Sequence, residues 1–582
     1  MAQAMHPKTR RMTIVAQDPA VTDDHEKIVT AEVEIPAERL APGPCGHRVH
    51  VIDYDSSSRT LYQPAELEPR PGEPPLFENP GNDVILGDPR FHAQNVYAIV
   101  MRILGRFELA LGRRVSWGFP SHQIKVAPHA FLDANAFYSE RDESLVFGYF
   151  PGRDKQPVFS CLSHDVVAHE ATHALIDGLR GRFNEPSSRD QAAFHEGFAD
   201  VVALLSVFAL RDVVKAMLDR SWREEPAFRQ TPAGLIHQDF LEPDTLRKSV
   251  LLGLAKQMGE EMSLVRGQVL RRSVTLTPED IRRDPRGFRE EHRRGEILVA
   301  AMLNAFVGVW TRRLRSLGRI EGMYFDRERI AEEAADAADY LLTMSIRALD
   351  YTPPVHLEFG DFLSALLTAD YVIRPDDSKY RYRETLRESF AHYGIEPASK
   401  GESEKGIWSL TRGDIDHECT HFDSMTRDRD EVFRFVWENR KCLGLYEGAY
   451  TRVETLRPCL RISPEGFILR ETVVECTQQL EIPARKLHEL GIDKPKAMPA
   501  ETLVRLQGGL TLIFDERGRL AFAISNQLAG SEDGLTERRQ SRRLQELWDS
   551  GEFKKGASLN RRLSVRHRRR ALDSLQYFEE VW

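Results

Sequence analysis

Residues 166–177 read Val166-Val167-Ala168-His169-Glu170-Ala171-Thr172-His173-Ala174-Leu175-Ile176-Asp177, and every larger reading of the chain grows from them. His169 and His173 stand four apart, so a helix carries both imidazoles on one face, one turn above the other. Two such ring nitrogens can share one metal ion at ~2.0–2.1 Å, which is zinc chemistry. Glu170 follows the first imidazole, placed to reach a water on the ion rather than the ion itself. Val166, Val167, Ala171, Ala174, Leu175 and Ile176 supply the rest of a buried helix.

A zinc site that acts on water needs three protein ligands and one open position. The third ligand is readable in His195-Glu196-Gly197-Phe198-Ala199-Asp200, followed by Val-Val-Ala-Leu-Leu. Glu196 lies 23 residues past His173, room for one helix to end and a second to return. Gly178 and Gly181 are expected to punctuate the first helix's end, and Asn184-Glu185-Pro186-Ser187-Ser188 is loop chemistry. Asp200 falls four residues after Glu196, on the same face. There it can accept the outer ring N–H of a ligand histidine and fix its tautomer.

His169-Glu170-x-x-His173 with Glu196-x-x-x-Asp200 resembles the glutamate-zincin metallopeptidases of the thermolysin and fungalysin type, with the Glu-Gly-aromatic-Ala-Asp form nearer the fungalysin side. The likeness covers roughly residues 80–390 and is strongest over 130–205. Asp88-Pro-Arg-Phe-His-Ala-Gln-Asn-Val-Tyr97 is similar to that family's first long helix. Asn135-Ala136-Phe137-Tyr138 and Leu145-Val146-Phe147-Gly148-Tyr149 are similar to its substrate-edge strand and the strand that follows. The resemblance implies that Ala136 pairs with an extended peptide through its backbone, with Asn135 as a side-chain contact. His292-Arg-Arg-Gly295-Glu296, opening an apolar helix, is similar to the family segment whose histidine hydrogen-bonds the tetrahedral intermediate. His292 is therefore the candidate, and His237 a second one without a surrounding motif. Where the family usually carries an oxyanion-stabilising tyrosine, this chain has Phe183-Asn184, of which only the Asn184 amide can donate. Losing one such donor typically costs about 2.7–4 kcal/mol of transition-state stabilisation.

The implied fold is α+β: a zincin with a mixed β-sheet N-terminal lobe and a mainly helical C-terminal lobe, followed by a smaller α+β or β-rich domain. The implied activity is zinc-dependent peptide hydrolysis, with one Zn2+ per chain on His169, His173 and Glu196, Glu170 as general base and then acid, and His292 as oxyanion donor. Peptide or protein is the implied substrate. The alternative is a catalytically inactive zincin scaffold acting as a sensor or nucleic-acid-binding protein, which the intact Glu170 argues against. No acidic loop has a defined calcium-ligand spacing, so Ca2+ is not readable.

A second match, His417-Glu418-Cys419-Thr420-His421, sits in poor surroundings. Thr411–Asp416 is polar and turn-prone, Phe422–Asp430 has no apolar face, and no Glu-x-x-x-Asp follows. The expectation is a loop leading to a helix near Glu431–Asn439, with Cys419 an alternative ligand if metal binds at all.

At 582 residues, more than one folded unit is expected. Residues 1–80 start with a polar leader, continue into the strand-like stretches Glu32–Ile35 and His47–Tyr54, and close in a Pro-rich run. The peptidase-like region follows over 81–395, with helices expected at Leu298–Leu314 and Arg329–Leu349. Residues 396–406 form a hydrophilic linker, and 407–530 turn strand-rich, with Asp515–Gly518 joining Leu510–Phe514 to Leu520–Ile524 as a hairpin. Residues 531–582 are a basic tail. The chain totals −9, yet 535–571 hold 12 Lys/Arg against 4 Asp/Glu, a segment able to neutralise an anionic partner or nucleic acid. Tyr577, Phe578 and Trp582 at the terminus suit a hydrophobic groove.

The longest apolar stretch, around Val201–Leu210, falls short of the ~18–20 residues that span a bilayer, so no membrane segment is expected. No apolar run follows Met1–Arg11, and the 6 cysteines form no C-x-x-C pair. Both features favour a cytoplasmic protein with reduced thiols.

Overall fold

Asp88-Pro89 starts the first long helix and Gly112 stops it. The computed structural model describes residues 9–553 apart from 24, 69–74, 153–154, 186, 225–233, 248–271, 400–405, 411–414, 419, 463–465, 467, 532, 550 and 552. In it this helix (α1) runs Pro89–Leu111. Asp88 accepts from the Arg90 N–H, Pro89 occupies the first turn where no N–H partner is needed, and Gly112 ends the helix at φ 66°. The helix is buried along most of its length because layers pack on more than one side.

One layer is the antiparallel pair β1 (Thr9–Val15) and β2 (Thr30–Pro36). The first of these strands lies partly in what the sequence reads as a polar leader. Met12 and Ile14 point inward between Arg10, Arg11 and Thr13, too short an alternation to stand out. The other layer is a mixed sheet of β3 (Val49–Val51), β4 (Ile124–Leu132), β5 (Ala136–Ser139), β6 (Ser144–Pro151) and β7 (Pro157–Phe159). Its order is β3-β4-β6-β5, with β7 pairing β6; β3–β4 and β4–β6 are parallel and β5–β6 antiparallel. This leaves β5 as an edge strand.

Helices follow: α2 (His164–Leu179), α3 (Arg189–Phe208), α4 (Glu291–Leu314), α5 (Arg327–Ala348), α6 (Phe359–Ile373) and α7 (Tyr382–His392). α2 lies between α1 and α3 and against β5, and every residue of it except Gly178 is buried. Gly178 does not end this helix. It lies one residue inside the end, where a Cβ would overlap the Ser116 carbonyl, so its use is close approach. α4 and α5 begin earlier than their apolar periodicity suggests, because their first turns are polar and are set by Glu290 and Asp326, which cap the Arg293 and Arg329 N–H groups. Among the described helices α4 alone is long and apolar enough to cross a membrane, and 83% of its apolar window is buried inside the protein.

The C-terminal third is an antiparallel meander, β8 (Tyr450–Ile462), β9 (Ile468–Pro483), β10 (Leu503–Phe514) and β11 (Leu520–Asn526), with the helix α8 (Arg429–Glu438) on one face. The Asp515–Gly518 hairpin is present, with Gly518 at φ 80°. Val474, Cys476, Leu512 and Phe514 pack with Val432 and Phe435 of α8, while Val473, Ile513, Phe522 and Ile524 join the large core shared with α1–α7. The helix α9 (Leu535–Asp549) opens the basic region, but Gln540, Arg543 and Leu544 are buried and Arg539 and Arg542 face Glu358. Lys554 onward, including Arg561-Arg562, Arg566–Arg570 and the terminal aromatics, lies outside the described residues. The architecture is mixed α+β with several small sheets.

Candidate metal centre

α2 and α3 run side by side, and this packing assembles the centre. His169 Nε2 and His173 Nε2 lie 2.8 Å apart, and Glu196 Oε2 on α3 lies 3.7 Å from the first and 3.9 Å from the second. All three residues are buried. Ligands on one tetrahedral ion with ~2.0–2.1 Å bonds stand about 3.3–3.4 Å apart, so this spread brackets the spacing an ion needs. Asp200 Oδ1 sits 2.6 Å from His169 Nδ1, which places the proton on Nδ1 and turns the Nε2 lone pair toward Glu196. His173 has its own support, which sequence reading missed: His195 Nδ1 lies 2.7 Å from His173 Nδ1. The signal was present only as an imidazole directly before Glu196, and its use appears once α3 packs on α2.

Glu170 faces the other way, toward the sheet, and accepts the Tyr138 N–H at 3.0 Å through Oε2. Tyr138 lies on the edge strand β5. Gly148 N–H bonds the Asn135 carbonyl at 2.8 Å, so the alternation of an antiparallel pair turns the backbones of Ala136 and Tyr138 away from β6. The edge carrying Ala136 therefore borders the Glu170 side of the centre. Asn135 Oδ1 accepts the Ala136 N–H at 2.8 Å, which ties up the side chain expected to meet substrate.

His292 reaches the centre from α4, with Nε2 3.4 Å from Glu196 Oε2. The approach depends on two glycines: a Cβ on Gly197 would meet the Gly295 carbonyl at 2.8 Å, and one on Gly295 would meet the Ala193 carbonyl at 3.0 Å. α3 and α4 thus touch backbone to backbone, and His292 stands one turn before that crossing. Its side chain is 37% exposed where the ligands are buried, so it lines the solvent side of the centre. Nδ1 lies 2.9 Å from Glu290 Oε1; burial opposes ionisation of Glu290, but the bonds from His292 and the Arg293 N–H prevail and hold it at about 2.

Asn184 stands elsewhere. Its amide donates to Asp177 Oδ1 at 2.9 Å, and Tyr138 Oη donates to Asp177 Oδ2 at 3.1 Å, at the far end of α2 one turn beyond His173. His237 lies on a short strand, Leu235–His237, paired with Tyr324–Asp326, its ring against Asp239 and Tyr324. In the second motif match, the described residues 415–418 and 420–421 lie outside any helix. His421 precedes the single turn Phe422–Met425 and its backbone N–H donates to Glu431 Oε1, while the His417 ring packs tilted against Phe435. Cys419 is outside the described residues. None of the five described cysteines forms a disulfide.

No family model matches the chain, and no curated protein matches it. Among the described residues a second group, His92, His129 and Cys161, also converges closely enough to share an ion. Sequence spacing offered no hint of it, since its members come from three separate elements.

Proposed function

We propose that this chain is a metal-dependent endopeptidase of the glutamate-zincin kind, acting on a peptide laid along β5. The observation that carries this reading is the convergence of His169, His173 and Glu196, with Glu170 fixed between them and the edge strand. Those three residues would hold the ion, and two imidazoles with one carboxylate, closed by Asp200 and His195 behind, suit Zn2+. Bound there, zinc supplies Lewis-acid polarisation of the scissile carbonyl and lowers the pKa of water toward ~7.

The chain's own residues do the rest. The Tyr138 N–H anchors one oxygen of Glu170, so its carboxylate is presented beside the substrate strand as the base that takes the proton of the attacking water. The same carboxylic acid then hands the proton to the departing amine. His292 sits between the carboxylates of Glu290 and Glu196; when both ring nitrogens carry protons, Nδ1 stays on Glu290 and Nε2 donates to the oxyanion. With its N–H held by Asn135 Oδ1, Ala136 offers a peptide its outward carbonyl as the first pairing position. With Asn184 engaged by Asp177, the oxyanion relies on His292 more heavily than where a tyrosine assists.

Glu170→Gln tests the reading directly. The variant is expected to keep the metal content of the unmutated chain, by elemental analysis, while hydrolysis of a quenched peptide library falls by about 10²–10⁴-fold. Equal hydrolysis by a metal-loaded variant would remove Glu170 from the chemistry. Unmutated, folded protein that takes up no zinc at the His169 site would leave a scaffold without this activity.

A further inference from the structure

We propose that His92, His129 and Cys161 form a second transition-metal site, distinct from the His169 centre, that clamps α1, β4 and the turn leading into α2. The three ligand atoms lie within 4.8 Å of one another, and the residues are 1%, 2% and 0% exposed.

The hydrogen bonds around the two rings specify where their lone pairs point. His92 Nε2 lies 2.9 Å from the Ile85 carbonyl, which can only accept, so the proton of a neutral ring is on Nε2 and Nδ1 carries the lone pair. His129 Nδ1 lies 2.7 Å from Asp53 Oδ2, and Asp53 Oδ1 also accepts the His129 backbone N–H at 3.1 Å. That carboxylate likewise fixes the proton on Nδ1 and leaves the lone pair on Nε2. Yet His92 Nδ1 and His129 Nε2 face each other at 2.7 Å. Two neutral rings so held would oppose lone pair to lone pair, and the contact calls for a cation: a proton at the distance seen, or a metal ion once the rings part by about 0.6 Å to the spacing of two tetrahedral ligands. An outer ring N–H held by a carboxylate or a backbone carbonyl is the support that metal-ligating histidines carry, and Asp200 gives it to His169 in the first centre.

A shared proton would satisfy the two nitrogens but gives no role to the thiol beside them. A thiolate-binding cation uses all three. Two imidazoles and one sulfur select a borderline or soft ion, Zn2+ or copper, over Mg2+ or Ca2+. Binding a divalent ion releases the Cys161 thiol proton and forms one metal–sulfur and two metal–nitrogen bonds. The site is dry on one side, where the Phe159 ring lies 4.8 Å from His92 and 5.1 Å from His129. Cys161 lies in the turn Ser160–Leu162, directly before α2. A metal here would pin the start of the helix that carries His169 and His173.

Sulfur separates this site from the first, which has no sulfur ligand. Metal-stripped full-length protein is titrated with Co2+, and thiolate-to-cobalt charge-transfer absorption is followed in the near ultraviolet. The expected result is two Co2+ bound per chain, with the sulfur band present in the unmutated protein. The band persists in His169→Ala and disappears in Cys161→Ser, each of which binds one fewer ion. Absence of the sulfur band in unmutated protein at saturating Co2+ would overturn the site, as would a band that survives in Cys161→Ser. Neither result bears on peptide hydrolysis, so this inference fails or stands separately from the proposed activity.

Discussion

Asp200 and His195 stand behind His169 and His173 and set where their outer ring nitrogens point. At 2.6 Å and 2.7 Å from the two Nδ1 atoms, they fix both rings so that the Nε2 atoms converge instead of rotating toward other partners. Asp200→Asn and His195→Ala are each expected to weaken metal binding by about 10–100-fold, measured by competition with a chromophoric chelator. Affinity unchanged in both would mean that helix packing alone orients the rings. The two residues differ in legibility for a physical reason. Asp200 repeats the helical spacing of Glu196, so its face is written in the sequence. His195 supports a residue on another helix, and that contact exists only after α2 and α3 have packed. The same distinction explains Asn184, whose amide looked available until Asp177 and Tyr138 were seen to share its corner.

Between elements, the decisive contact is the crossing of α3 and α4 at Gly197 and Gly295. Side chains usually hold helices 8–10 Å apart, and only a pair of glycines lets these backbones meet closely enough for His292 to approach Glu196. Gly295→Ala is expected to cost about 1–3 kcal/mol in denaturant unfolding through overpacking. On the proposed peptidase reading it should also lower turnover by up to ~10²-fold, because a displacement near 1 Å at a catalytic group carries that penalty. Metal content should hold where α4, which carries none of the three ligand residues, takes up the shift, and should fall where α3 yields beside Glu196. A variant that loses stability but keeps full turnover would show that the crossing does not position His292. Helix periodicity announced α2, α3 and the later helices well, but not their crossing. A lone glycine in a helical pattern reads as a weakness until the partner glycine on another helix is known.

For the whole molecule, the question is what holds the C-terminal sheet to the helices. The central stretches of β9 and β10 are buried on both faces, and their near-continuous apolar runs cannot say which element covers which face; Val473 and Ile513 turn to the helical core while Val474 and Leu512 turn to α8. Between the two bodies runs a buried ionic network. Asp350 takes Arg113 at 2.6 Å and Arg461 as a second partner, Arg461 also meets Glu471, and Arg180 spans from the end of α2 to Glu475 at 2.6 Å. Burial pushes the Asp350 carboxyl up, but Arg113 and Arg461 outweigh it and hold the group well below the usual carboxylate range. A depressed carboxylate contributes stability that is present above its unfolded pKa and fades as pH falls toward the folded one. The contribution of Asp350 should therefore be fully present at neutral pH and fade as the pH falls below ~4. Removing one partner of such a pair strands the buried charges of the others. Asp350→Ala is expected to cost about 3–5 kcal/mol at pH 7, read as a shift in the denaturant midpoint, and the penalty should shrink as the pH is lowered below ~4. A loss under 1 kcal/mol, or one independent of pH, would mean that apolar contacts between sheet and helices suffice. The large value would make the sheet part of what keeps α2, and with it the candidate metal centre, in place.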